Sequence, residues 1–287
     1  MASFFEHGIP DMIKTTSIEK VVAPVITHMC HLVLICESGE GSEEFSELEG
    51  VAEGVAKASK NMAAVASRLA AESDDDIMRE EMDPVVASMK LSGQHVLLTA
   101  QKLSIQPHIA NHREELITST QNVLLGLLKI LLLEDDATVR KIVTAGHWLQ
   151  DCLSQLEAAP NIPALLRAFQ GFSEALLLLN NLVENRAKDL RDPGQQENLS
   201  RSLETLKKCV SMLHTAMCTT IKHPQSEQAQ AAKKYIVEQV DSTIMELITT
   251  LKSNCHGSFL SSSGCYIDKL QGLLQLLDNP KGKAHRK

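Results

Sequence analysis

The chain has 287 residues and 44% of them are hydrophobic, so it can bury a substantial core and disorder is not its default state. Aromatic residues are only 3%, with one Trp and two Tyr, which argues against sandwiches, barrels and base-stacking modules. Lys and Arg total 28 against 36 Asp and Glu, a net charge of −8, and no basic surplus exists to neutralise a nucleic-acid backbone.

Residues 1–14 read as an irregular lead, without the basic and apolar regions of a secretory signal. Helical periodicity begins at Ser17, with Ile18, Val22, Val25, Met29, Leu32 and Cys36 on one face. Pro24 lies inside this pattern and should remove one helical hydrogen bond. After Gly39, Gly41 and Ser42, a second helix from about Glu44 to Glu72 carries Leu48, Val51, Val55, Ala58, Met62, Val65 and Leu69 as its expected inward line. Several of these side chains are small, which lets another helix approach closely or leaves an open groove. Residues 73–76 read as the cap and acidic first turn of a third helix, with Met78, Met82, Val85, Met89, Val96 and Leu103 inward.

A fourth helix is expected from about Asn111 to Leu133, apolar nearly all round in its second half and therefore central. Asp135 and Asp136 then read as the cap of a fifth, facing inward with Val139, Val143, Leu149, Leu153 and Leu156. A sixth uses Leu165, Phe169, Phe172, Leu176, Leu179 and Val183, and Asp192-Pro193-Gly194 marks the next turn. A seventh carries Leu199 to Ile221 at helical spacing and stops at His223-Pro224, and an eighth carries Ile236, Val240, Ile244, Leu247 and Leu251. Residues 255–287 read as a linker, a short amphipathic piece around Tyr266 to Leu277, and a basic end. No strand pattern competes, so the expected fold is all-α, built from antiparallel bundles.

No enzymatic motif emerges. His28 and His31 can share a helix face, but Cys30 points elsewhere, and a metal site needs three or four convergent ligands. Neither a metal nor a cofactor is assigned. The carboxylate clusters at Glu43-Glu44, Asp74 to Asp76 and Glu134 to Asp136 sit at expected helix starts, where they complement the helix dipole, and are assigned no acid–base role. Seven cysteines, an odd number lying mostly in helical patterns, fit reduced cytosolic thiols. The longest mostly apolar stretch, Val123 to Leu133, is short for a bilayer span and contains Lys129.

The segment Thr16 to Glu40, TSIEKVVAPVITHMCHLVLICESGE, resembles the opening helix of the vinculin/α-catenin family. LLLEDDATVRKIV, from Leu131 to Val143, is similar to the junction between that family's two N-terminal bundles. Arg186 to Asp192, and Leu203 to Pro224 with its Leu-His-Thr-Ala and Lys-His-Pro, lie closer to the α-catenin and α-catulin branch. The resemblance spans roughly residues 15 to 254.

The resemblance implies two antiparallel four-helix bundles sharing a long central helix, the first over 15–133 and the second over 134–254. It further implies a non-enzymatic cytoskeletal adaptor at cell junctions. Its first bundle would take an amphipathic helix of talin or α-actinin type into a groove lined by Val21, Val25 and Leu32 from the first helix and Val55, Ala58 and Met62 from the second. The α-catenin branch implies instead a β-catenin-type segment, or a homodimer, at the same place. Long family members end in an actin-binding tail. A 287-residue chain has no room for one, so the expected protein engages a helical ligand without tail-mediated actin coupling or head–tail autoinhibition. Two further readings compete: an enzyme or small-molecule binder built in a bundle core, and contact with a membrane surface through residues 258–287.

Overall fold

A computed structural model describes residues 13–38 and 42–253. Residues 1–12 of the expected lead over 1–14, the turn at 39–41, and the linker and amphipathic piece after residue 253 lie outside the described residues. Seven helices account for nearly all of what is described: α1 Thr16–Ser38, α2 Ser42–Glu72, α3 Asp76–Ile105, α4 Ala110–Ala158, α5 Ile162–Asp189, α6 Pro193–Lys222 and α7 Glu227–Ser253. The fold is all-α, and the only strand-like feature among the described residues is an isolated bridge between Thr15 and Leu190.

Helix starts are fixed by side chains. Asp75 accepts from the Met78 amide at 2.9 Å, Asn161 from Ala164 at 2.9 Å, and Asp192 from Gly194 at 2.9 Å. Each satisfies a backbone donor that the first turn leaves unpaired. Pro163 and Pro193 occupy first-turn positions of α5 and α6, where a missing amide costs nothing. Pro24 and Pro84 lie within α1 and α3.

The described residues fall into two compact units. The first holds α1 from Ser17, α2, α3 and α4 as far as Ala137. The second holds α4 from Thr138, with α5, α6, α7 and residues 14–16. Within the second unit Arg191 donates its amide to the Lys14 carbonyl at 2.9 Å, and Thr16 donates its hydroxyl to Asp189 at 2.8 Å.

Polar contacts give the helix directions. In the first unit Gln101 donates to Glu49 at 3.3 Å while Gly93 faces Ser59, so numbers rise on α3 as they fall on α2. Lys102 pairs with Glu115 at 3.2 Å and Thr99 meets Ser119 at 3.3 Å, which sets α3 antiparallel to α4. The Cys36 thiol lies 3.8 Å from the Arg113 carbonyl, placing the end of α1 beside the start of α4. In the second unit Lys207 reaches Glu184 at 3.5 Å, Thr220 donates to the Ala229 carbonyl at 3.3 Å, and Gln150 donates to Asp241 at 2.9 Å. Each unit thus places its first helical segment beside its last, around its own apolar cluster.

Three sequence expectations change. The expected fourth and fifth helices are one 49-residue helix, α4. Asp135 and Asp136 are not caps: both are buried inside α4, Asp136 to 1% exposure, and each keeps an electrostatic or hydrogen-bonding partner. Nothing between Leu133 and Thr138 is a Gly or Pro, and an apolar face continues on both sides, so the helix has no reason to stop.

The inward line of α2 is also different. Of the seven expected residues only Leu48 is fully buried. The buried line is Phe45, Leu48, Ala52, Ser59, Ala63, Ala66 and Ala70, rotated by about one residue, or roughly 100°. The reason is close packing. A Cβ added to Gly93 of α3 would lie 2.6 Å from the Ser59 Cβ, so α2 turns its small side chains to this contact. The bulkier stripe Val51, Val55, Met62 and Leu69 is left half-buried, with Ala58 and Val65 exposed.

Third, α1, α4 and α5 are long and apolar enough to cross a membrane by length and composition alone, although Val123 to Leu133 by itself is short for that. Such a window also counts the apolar face that a bundle turns inward, and in α4 most of the window is buried.

Candidate functional site

The rotation of α2 opens an apolar cleft of about 440 Å³ in the first unit. One wall is Val25, His28 and Met29 of α1. The other is Val51, Gly54, Val55, Ala58, Ser59 and Met62 of α2. The floor is Met89 of α3 with Val123 and Leu127 of α4, all buried. The cleft therefore reaches the centre of the unit between two neighbouring helices.

Its chemistry is plain. Ser59 spends its hydroxyl on the Val55 carbonyl at 2.8 Å, leaving the exposed His28 as the one side chain with a ring nitrogen at the mouth. Met29, Met62 and Met89 surround the space with flexible thioethers that repack readily. Gly126 gives Met89 its room, since a Cβ there would lie 2.6 Å from the Met89 sulfur. Gly54 and Ala58 keep the outer wall low. Apart from His28 and Ser59, the lining is apolar.

Four of the six residues expected in the groove, Val25, Val55, Ala58 and Met62, come together on this cleft. Two do not line it. Val21 is 40% exposed on α1, and Leu32 is fully buried in the core. Residues missed in the sequence include the floor, because Met89, Val123 and Leu127 read as ordinary core. Gly54 gave no periodic signal at all.

Burial pushes the Cys30 thiol up, and likewise Cys152 and Cys209 in the second unit, so all three are held protonated and weakly nucleophilic. Burial also raises the Glu134 carboxyl, and the charge of Asp135 adds to it. No three His, Cys, Asp or Glu side chains converge as a metal site among the described residues.

Fold and cleft together define a class: an all-α protein whose first unit presents an apolar slot. The profile of the Vinculin family matches residues 12–281, and the chain belongs to that family. It is 23% identical over 235 residues to human catenin alpha-2, covering 81% of this chain and 24% of that protein. It is 25% identical over 244 residues to chicken vinculin, covering 83% of this chain and 22% of that one. The chain thus spans about a quarter of the length of these relatives. Among solved structures, a vinculin homologue from a sponge, described in connection with vertebrate-like cell adhesions, superposes with a TM-score of 0.75 at 21% identity, over 83% of this chain and 30% of that one. A chain of the HMP-1–HMP-2 complex superposes with a TM-score of 0.67 at 19% identity, over 85% of this chain and 98% of that one.

Proposed function

We propose that this chain is a non-enzymatic adhesion adaptor that binds an amphipathic partner helix, of talin or α-actinin type, in the cleft between α1 and α2. The protein would act in the cytoplasm at the cytoskeleton or cell junctions. The observation that carries the reading is the cleft itself: two neighbouring helices present half-buried Val25, Val55 and Met62 above an apolar floor of Met89, Val123 and Leu127. An entering helix would cover these side chains with an i, i+3, i+4, i+7 ridge and shift the methionines. The Ser59 hydroxyl, already donated to the Val55 carbonyl, needs no new partner.

A second reading has its own support. The likeness to nearly the whole of a chain solved in the HMP-1–HMP-2 complex favours a catenin-type segment as occupant of the same place, in the manner of a β-catenin-binding or dimerising scaffold. Fluorescence anisotropy with labelled talin-type, α-actinin-type and β-catenin-type helices, titrated against the 287-residue protein, decides between them. The expected result is saturable binding of one class, weakened by Ala58→Asp. Binding of none, or binding indifferent to Ala58→Asp, overturns the proposal.

A further inference from the structure

The chain carries its own segment of the kind that an apolar cleft takes. Tyr266, Ile267, Leu270, Leu273, Leu274 and Leu277 follow one another at helical spacing. Laid on a helix at about 100° per residue, they fall within one face roughly 120° wide. Past Asp278 the sequence holds Lys281, Lys283, Arg286 and Lys287 and no acid.

The helix before this segment delivers it within reach. Lys233 donates to the Glu157 carbonyl at 2.9 Å, Gln150 to Asp241 at 2.9 Å, and Gly146 faces Ile248, so α7 runs back along α4 and ends beside Val139. The cleft floor at Val123 and Leu127 lies on the same helix, about 18–24 Å away along α4. Residues 254–265 can reach at most about 40 Å. α2 is antiparallel to α3, and α3 to α4, so Met62 marks the end of the cleft toward Val139 and Val51 the far end. A segment arriving from Ser253 therefore meets Met62 first and runs antiparallel to α2. Its length from Tyr266 to Leu277 matches that from Met62 back to Val51. The basic end then falls over the start of α2, where Glu43, Glu44, Glu47, Glu49 and Glu53 stand without a base. Glu47 is exposed and continues the line of Val51, Val55, Ala58 and Met62. The reverse orientation would set the basic end toward Lys57, Lys60 and Arg68 instead.

We propose that residues 266–277 of this chain occupy the cleft between α1 and α2, antiparallel to α2, with residues 281–287 over the acidic start of that helix. The proposal rests on the cleft being a helix site and adds how access to it is controlled. Apolar face, reach and charge all select the same placement. A short tether holds the segment at about millimolar effective concentration, so a partner helix must displace a resident one.

Deuterium exchange read by mass spectrometry on the 287-residue protein tests this. Leu270→Asp with Leu273→Asp puts two carboxylates on the apolar face of the segment. Fragments covering 51–62 and 266–277 should then exchange about tenfold faster, and fragments of α5 and α6 should not change. Glu47→Lys, or 1 M salt, should shift the same two fragments in the same direction by less. In anisotropy the double variant should bind a labelled talin-type helix about tenfold more tightly than the parent, because the cleft is no longer occupied. Exchange that ignores the double variant overturns the proposal, even where partner helices bind. Exchange that responds while no partner helix binds supports the contact and overturns the partner reading alone. Protection that grows with protein concentration makes a second copy the occupant and overturns the proposal. So does protection of 266–277 that appears only on vesicles of anionic lipid.

Discussion

Ala58 shows how much a single side chain decides in an apolar slot. It is exposed on the wall of the cleft, so Ala58→Asp should change stability by no more than about 0.5 kcal/mol in thermal melts. The same carboxylate, covered by an entering apolar helix, would lie unpaired and should weaken binding about tenfold or more, read by anisotropy. Glu134 tests burial in another way. Its folded carboxyl holds its proton more tightly than the ordinary value of 4.5. Stability from that raised value is present below the unfolded value and is lost as the pH rises through the folded one. Glu134→Gln should therefore gain on the parent protein between about pH 4.5 and neutrality in urea titrations, with the gain vanishing in acid.

The contact of α2 with α3 is governed by what is missing from the side chains. Gly93→Ala would push a Cβ to within 2.6 Å of the Ser59 Cβ, so the two helices must part or shift. A loss of about 1–3 kcal/mol is expected by chemical denaturation, and Ser59→Gly in the same chain should recover part of it. This pair also marks the limit of reading helices from sequence. The inward lines of α5, α6 and α7 were legible because each bundle-facing stripe is made of large apolar residues at one spacing. On α2 the large residues and the buried residues are adjacent stripes, and periodicity alone favours the larger. Only the closeness of α3, a tertiary fact, selects the alanines. The continuity of α4, implied by the family resemblance, was hidden from the residue pattern for a related reason. Acidic pairs signal a helix start on the surface, and nothing local in Asp135-Asp136 tells that they are buried.

Among the described residues there are two apolar clusters, one ending at Leu133 on α4 and the other beginning at Val139. Phe172 is buried in the second and touches nothing of the cleft. Phe172→Ala should cost about 3–5 kcal/mol in denaturant titrations, yet leave helix binding intact below the onset of unfolding. The groove was legible in part for a comparable reason. Val25, Val55, Ala58 and Met62 followed from the resemblance of the opening segment to a family. The floor comes from α3 and α4, far along the chain, and no spacing in the sequence assembles it.

The alanine line of α2 has one more consequence. Ala52, Ala63, Ala66 and Ala70 fill positions where leucines would each bury about three more carbons, and each forgoes roughly 2 kcal/mol of burial for it. α2 is thus fastened by fit more than by area. Its backbone amides should exchange with deuterium sooner than those of α3 and α4, and mass spectrometry of peptic fragments would read the order directly. What the alanines withhold when the unit assembles is what an arriving segment need not supply in order to pry it open.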